Sequence, residues 1–354
     1  MSDAHADRAR RTGAASRRRT VRRRRAAAAG ALLAILIAVL LASQGSSRHG
    51  ASEGASRRSS RRSDQAAARA QAPRALVTYA GQLPQPIQDA AVAASSASSA
   101  LLIGGLDQSD RSSTQIVRLG GSQGQRIGSL AAPLHDATAS ALGGAVFLLG
   151  GGSLESFASI LRVSAGGQAQ PAGRLPTPAS DVASAQIDGT IYIVGGYTGQ
   201  VPLRTILAWR PGQPPRIAAL LPQPVRYAAV AAQRGGLVIA GGTTGTTADR
   251  DVYRFDPASG RVALLARLPH PLTHAAAVRV RGSVLVIGGR GAELNAQTRQ
   301  ILAISPSGAV SLAGELPRAL SDLAAVTLGE EALLAGGRDS GGHVRGEILR
   351  IRVR

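Results

Sequence analysis

Six polar side chains recur in one local context, each following a proline-marked turn: Asp89, Asp136, Asp181, Tyr227, His274 and Asp322. Five stand three residues after a proline (Pro86, Pro133, Pro178, Pro224, Pro271), and Ala319 takes the proline's place before Asp322. Four carboxylates, a phenol and an imidazole brought together would make a mixed binding site of hydrogen-bond acceptors and donors. An aspartate after a turn can instead accept local backbone N–H bonds, so the repeated aspartates have a purely structural reading as well. Tyr227 and His274 break that repeat and stand as candidates on their own.

Arginines accompany this set. Arg226 precedes Tyr227, while Arg290 and Arg338 each follow a glycine doublet. Together with Arg204 they could hold an anionic ligand, such as a carboxylated sugar or a phosphate, through bidentate hydrogen bonds. They could equally be solvated charges. Arg111 and Arg250 belong to the same class of loop but lie nearer the strand that follows. Glu155 and Glu293 are loop carboxylates available for acid–base work.

Much chemistry is absent. No HExxH, phosphate-binding loop or GxSxG elbow occurs. Without cysteine there is no disulfide and no thiolate site. Six histidines are scattered. His270 and His274 are four apart, but in a turn leading into a strand they need not share a face. Neither a metal site nor a cofactor is expected, and no catalytic residue is assigned.

The elements that must position these residues come from a repeat. Six apolar runs end in a glycine doublet, at Gly104, Gly150, Gly195, Gly241, Gly288 and Gly336, spaced by 46, 45, 46, 47 and 48 residues. A run of small residues and a turn precede most doublets, such as Ala183 to Ala185 before Asp188-Gly189, which predicts a β-hairpin. A polar loop, a third run such as Ile206 to Trp209, a turn and a fourth run such as Val262 to Leu265 complete the unit. Four strands per repeat of this length is one propeller blade. The expected fold is therefore all-β: a six-bladed propeller with small-residue strands innermost, where six blades crowd one axis. The six polar positions then ring the mouth of the central channel.

The doublets closing each second strand make residues 75–354 resemble the Kelch repeat family. Kelch repeats usually carry a Tyr and a Trp at set distances after the doublet. Here only Tyr253 and Trp209 remain, so aliphatic packing between blades is expected. The resemblance implies a Kelch-type propeller. In architecture it is similar to bacterial extracytoplasmic mutarotases of N-acetylneuraminate, though no catalytic residue can be carried over. A copper-radical oxidase of the galactose-oxidase kind is excluded, because its Cys–Tyr crosslink needs a cysteine.

The ring must also close. The last repeat stops after a third strand, Ile348 to Val353, while Ala75 to Tyr79 is a strand-like run without a blade of its own. The N-terminal run is expected to supply the missing fourth strand and leave no open edge.

Ahead of the propeller, 74–354, lie a basic tail (1–25), an uncharged apolar stretch (26–47) and a polar linker (48–73). Of the formal charge of +20, residues 1–74 contribute +13, from 17 Arg and 4 acidic residues. The stretch around Ala31 to Ala42 is long enough to span a bilayer as a helix. Ten arginines before it place the N-terminus in the cytoplasm and the propeller outside. A cleaved signal peptide is the rival reading, against which Leu40-Leu41-Ala42-Ser43 is a poor cleavage site. No aromatic interleaves the arginine runs, so acidic lipid rather than nucleic acid is their expected contact. The functional expectation is a membrane-anchored binding module for a protein or carbohydrate ligand on the loop face. The alternative is a mutarotase- or epimerase-like enzyme acting on an anionic sugar.

Overall fold

A computed structural model describes residues 73–354, so the expected tail, membrane helix and all but the last residue of the linker lie outside the described residues. Every regular element described is a β-strand, and the arrangement is propeller-like. Four-stranded antiparallel sheets follow one another along the chain. One runs from axis to rim as Ala183–Ile187, Thr190–Val194, Thr205–Trp209 and Arg216–Leu220. The next begins with Ala229–Gln233 and ends with Arg261–Arg267; a third begins with Ala276–Val280 and ends with Val310–Glu315. First strands such as Ala91–Ala94 and Ala276–Val280 are short and alanine-rich. Each touches the first strand of the next sheet, and Ala91–Ala94 also touches Ala324–Leu328, so the contacts run full circle. Small side chains permit that crowding. Second strands such as Thr190–Val194 and Gly236–Ala240 are buried along their whole length, covered on both faces by neighbouring sheets.

The glycine doublets clamp one sheet to the next. In every doublet both residues have positive φ, from 59° to 109°. The second glycine's N–H donates to a carbonyl in the turn that leads to the following sheet: Gly105 to Leu134, Gly151 to Ala179, Gly196 to Val225, Gly242 to Leu272 and Gly289 to Leu320. Gly337 donates to Ile87 at 2.8 Å, joining the last repeat to the first. A Cβ on the first glycine of any doublet would overlap that same carbonyl oxygen. Left-handed backbone and close approach together exclude other residues.

Six apolar clusters fill the gaps between sheets among the described residues. By register, Trp209, Phe255, Ile304, Ile351, Leu119 and Val163 are equivalent third-strand positions. Each packs in one cluster with a second-strand residue of the preceding repeat. Trp209 meets Phe147 edge to face at 5.0 Å, and Phe255 meets Tyr192 at 5.4 Å. The other pairings are aliphatic: Ile304 with Val238, Ile351 with Leu285, Leu119 with Leu333, Val163 with Leu101. Aliphatic packing therefore holds in four gaps, while two are aromatic. Tyr253 is not part of the aromatic pairing; its hydroxyl donates to Asp251 at 3.1 Å.

The N-terminal strand Ala75–Gln82 pairs antiparallel with the C-terminal strand Glu347–Val353, from Ala75 opposite Val353 to Gln82 opposite Glu347. It is the outer strand of a sheet that continues through Glu331–Ala335 to Ala324–Leu328. Arg74 and Arg354 exchange backbone hydrogen bonds of 3.1 and 2.9 Å beyond the strand ends. Gln71–Arg354 forms one compact unit. All six clusters and both closing strands lie within it, as an independently folding domain requires.

One boundary differs from the sequence reading. Gln125–Leu142 is a single strand that leaves one sheet and enters the next without a break. The other junctions begin Leu-Pro, as at Leu83-Pro84 or Leu175-Pro176, whereas this one reads Leu130-Ala131. Ala131 keeps the N–H that proline would remove, so nothing forces a break there.

Candidate functional site

The six polar positions form a ring held by its own backbone. Asp89 N–H donates to Asp322 O at 2.9 Å, Asp136 to Asp89 at 3.1 Å, Asp181 to Asp136 at 2.9 Å and Tyr227 to Asp181 at 3.1 Å. Asp322 N–H donates to His274 O at 3.0 Å. Between Tyr227 and His274 the side chains make contact, stacked with ring centroids 3.7 Å apart. All six residues have φ between 53° and 60°. Aspartate and histidine tolerate that left-handed conformation better than most residues, which gives the repeated Asp a local reason. The reason is conformational and not the turn cap open on sequence, because the turn N–H groups go to loop carbonyls, as Gln88 to Leu106 and Ser180 to Tyr197, and not to these carboxylates. Tyrosine has no such tolerance, so Tyr227 holds a strained backbone of the kind that gathers at functional sites.

The ring lines a cavity of about 130 Å³. Burial pushes the carboxyl groups of Asp89, Asp136 and Asp322 above the ordinary carboxylate range. Mutual repulsion adds to this for Asp89, chiefly from Asp322, and for Asp136, chiefly from Asp181. Asp181 is ion-paired with the Arg226 guanidinium. The Tyr227 hydroxyl donates to Asp136 Oδ2 at 2.9 Å, and burial raises its pKa as well.

His274 is neutral. Burial, then the charges of Arg290 and Arg226, push its pKa down to about 2. Arg290 Nη2 lies 3.3 Å from His274 Nε2, and a guanidinium only donates, so Nε2 accepts. The proton therefore sits on Nδ1, which donates to Thr273 Oγ1 at 3.0 Å.

Beside this cup, Arg226, Tyr227, His274 and Arg290 line a second cavity of about 230 Å³ with Thr243, Thr246, Thr247 and Thr273. The Arg226 guanidinium carbon lies 4.1 Å from the Tyr197 ring centroid and 5.1 Å from that of Tyr227, which fixes its plane. Arg226 Nε and Arg290 Nε are buried without a hydrogen-bond partner in the protein. Two oriented guanidinium groups, threonine hydroxyls and an aromatic wall suit a small oxyanion carried on a ring.

Of Arg226, Tyr227, His274, Arg290 and Arg338, the first four thus converge. The fifth, Arg338, lies outside that cavity, with Nη1 3.9 Å from Asp110 Oδ1, although its charge acts on Asp322. Arg204 is exposed, and Arg111 pairs with Asp107 at 3.0 Å. Glu155 and Glu293 are exposed loop residues that line neither cavity, and His270 is exposed where His274 is largely buried. Sequence reasoning missed Tyr197 and the threonines. Tyr197 and Thr243 follow a doublet just as Arg290 and Arg338 do, and they pair with Ser180 and Arg226 across the turn.

A family model described as Kelch motif matches residues 178–213, the stretch carrying Asp181, the third doublet and Trp209. No curated protein matches the sequence. Among solved structures, one titled "Structure of YjhT" superposes with a TM-score of 0.68 at 14% identity, over 77% of this chain and 99% of the other. The resemblance to Kelch-repeat propellers, read from the doublets, is met by both findings.

Proposed function

We propose that this chain is a six-bladed Kelch-type propeller, anchored in a membrane with the propeller outside the cytoplasm, that binds an anionic carbohydrate on its loop face. The sheet order supports six blades if Gln125–Leu142 is divided between two of them and the terminal strands share the last. The uncharged stretch 26–47 and the arginines before it support the anchor. The observation that carries the ligand class is the convergence of Arg226 and Arg290, each with an unused buried Nε, on the stacked Tyr227 and His274. Convergence in a cavity suits a small ligand better than a flat protein surface.

Titration of the domain with N-acetylneuraminate and galacturonate, against neutral galactose, tests this. At least one acidic sugar should bind where galactose does not. Arg226→Ala and Arg290→Ala should each weaken binding roughly ten- to a hundredfold, as loss of a charge-assisted hydrogen bond of about 1.5–3 kcal/mol implies. Equal affinity for galactose, or unaltered binding by both variants, would refute the assignment. Carbonate extraction of membranes should leave the full chain in the pellet; release into the supernatant would refute the anchor.

A second reading, an enzyme of the mutarotase kind, rests on Asp136. Burial, then the charge of Asp181, pushes its carboxyl well above the ordinary carboxylate range, and it lies against Tyr227, which lines both cavities. A protonated acid beside a bound sugar is what acid-catalysed ring opening needs. Faster anomerisation of N-acetylneuraminate by NMR, lost in Asp136→Asn with binding kept, would favour it.

A further inference from the structure

A third cavity lies beside the strand that closes the ring. It has a volume of about 390 Å³, within the roughly 300–1,000 Å³ common to ligand pockets. Three segments build it: Val77 to Tyr79 of the closing strand, the connection around Pro317 to Leu323, and the sheet they meet, at Leu334 and Leu349. Leu320, Leu323, Leu334 and Leu349 are buried and make its floor. The connection is the one turn of six in which alanine, Ala319, stands where the others have proline.

The charged groups at its edge are Arg318 and Glu347, which face each other at 3.3 Å. Each is answered by the other, so the pocket offers a ligand no unpaired charge. Thr78 supplies a hydroxyl at the rim. Leucine walls with so few polar partners hold water poorly, which favours an apolar occupant.

We propose that this cavity binds a neutral, apolar small molecule of about one or two rings, or a short alkyl chain. The proposal is independent of the anionic-sugar reading, because this cavity and the one lined by Arg226 and Arg290 share no residue; Leu323 is common to this cavity and the ring cup, and Thr78 belongs to this cavity alone. An occupant would touch the closing strand and the connection at once, and so brace the closure.

The uncharged fluorophore N-phenyl-1-naphthylamine, titrated into the domain 71–354, is the probe. Saturable, blue-shifted emission with one site per chain is expected. Leu323→Phe, filling the cavity from its floor, and Thr78→Phe, from its rim, should each weaken binding at least tenfold. Ile217→Ser and Leu264→Ser remove exposed apolar side chains on other outer strands and should leave it unchanged. Should Leu323→Phe fail to fold, Thr78→Phe decides alone. Undiminished binding by the folded cavity variants, loss in the surface variants, or no saturable binding would each overturn the proposal.

Discussion

At the scale of single residues, the ring of polar side chains is a set of titratable groups under strain. The raised aspartates keep protons in the folded chain that they release in the unfolded chain near pH 3.9. Between that pH and their folded pKa values the native state binds more protons, so stability declines as pH rises. His274 works the other way. Its pKa is near 6.5 unfolded and about 2 folded, so its contribution is present above pH 6.5 and is lost as pH falls from 6.5 toward 2. Asp89→Asn should flatten the loss of melting temperature as pH rises above about 4. His274→Gln should flatten the loss on going from pH 6.5 to pH 4. Melting curves across pH read both, and parallel profiles for wild type and variants would show the ring is not the cause.

Those positions were legible as a repeat because the proline turn before them is local in sequence. Their conformation was not. The backbone bonds from five of the six ring residues to a ring residue of the neighbouring repeat exist only once the sheets are arranged in a circle. The same limit hid Tyr197, whose contact with Arg226 crosses from one repeat to the next.

At the scale of strands and sheets, the aromatic pairs set an order of importance among the gaps. Trp209 is buried against Phe147, and Trp209→Ala should cost about 3–5 kcal/mol in denaturant unfolding. Ile304→Ala, in an aliphatic gap, should cost about 2–5 kcal/mol, so the two experiments also ask whether aromatic gaps hold more than aliphatic ones. The doublets were read as punctuation closing a strand. Their glycines also answer to a carbonyl of the following sheet, a tertiary reason that spacing alone cannot reveal.

At the scale of the whole molecule, closure is the property that makes the domain one unit. Deleting residues 74–82 removes the partner of Glu347–Val353 and opens an unpaired edge. That should lower the melting temperature by on the order of 10 °C, equivalent to about 3 kcal/mol or more in a domain of this size. Calorimetry of the shortened domain checks it. An unchanged melting temperature would mean that the glycine clamp from Gly337 to Ile87 suffices to hold the circle.

The sequence by itself determined the repeat, its all-β character, the need for a terminal strand to complete the last sheet, and which polar types recur before each first strand. All of these are local signals, or counts of local signals, carried by turn chemistry and burial pattern within one repeat. Only the tertiary structure decided which of those side chains meet. It brought Arg226 and Arg290 to one cavity, left Arg338 to Asp110, and opened an apolar pocket beside the closing strand. The physical reason is that a site between repeats depends on the rotation from one sheet to the next. That rotation is set by packing across the gaps and by the clamp between them, and no single repeat encodes it.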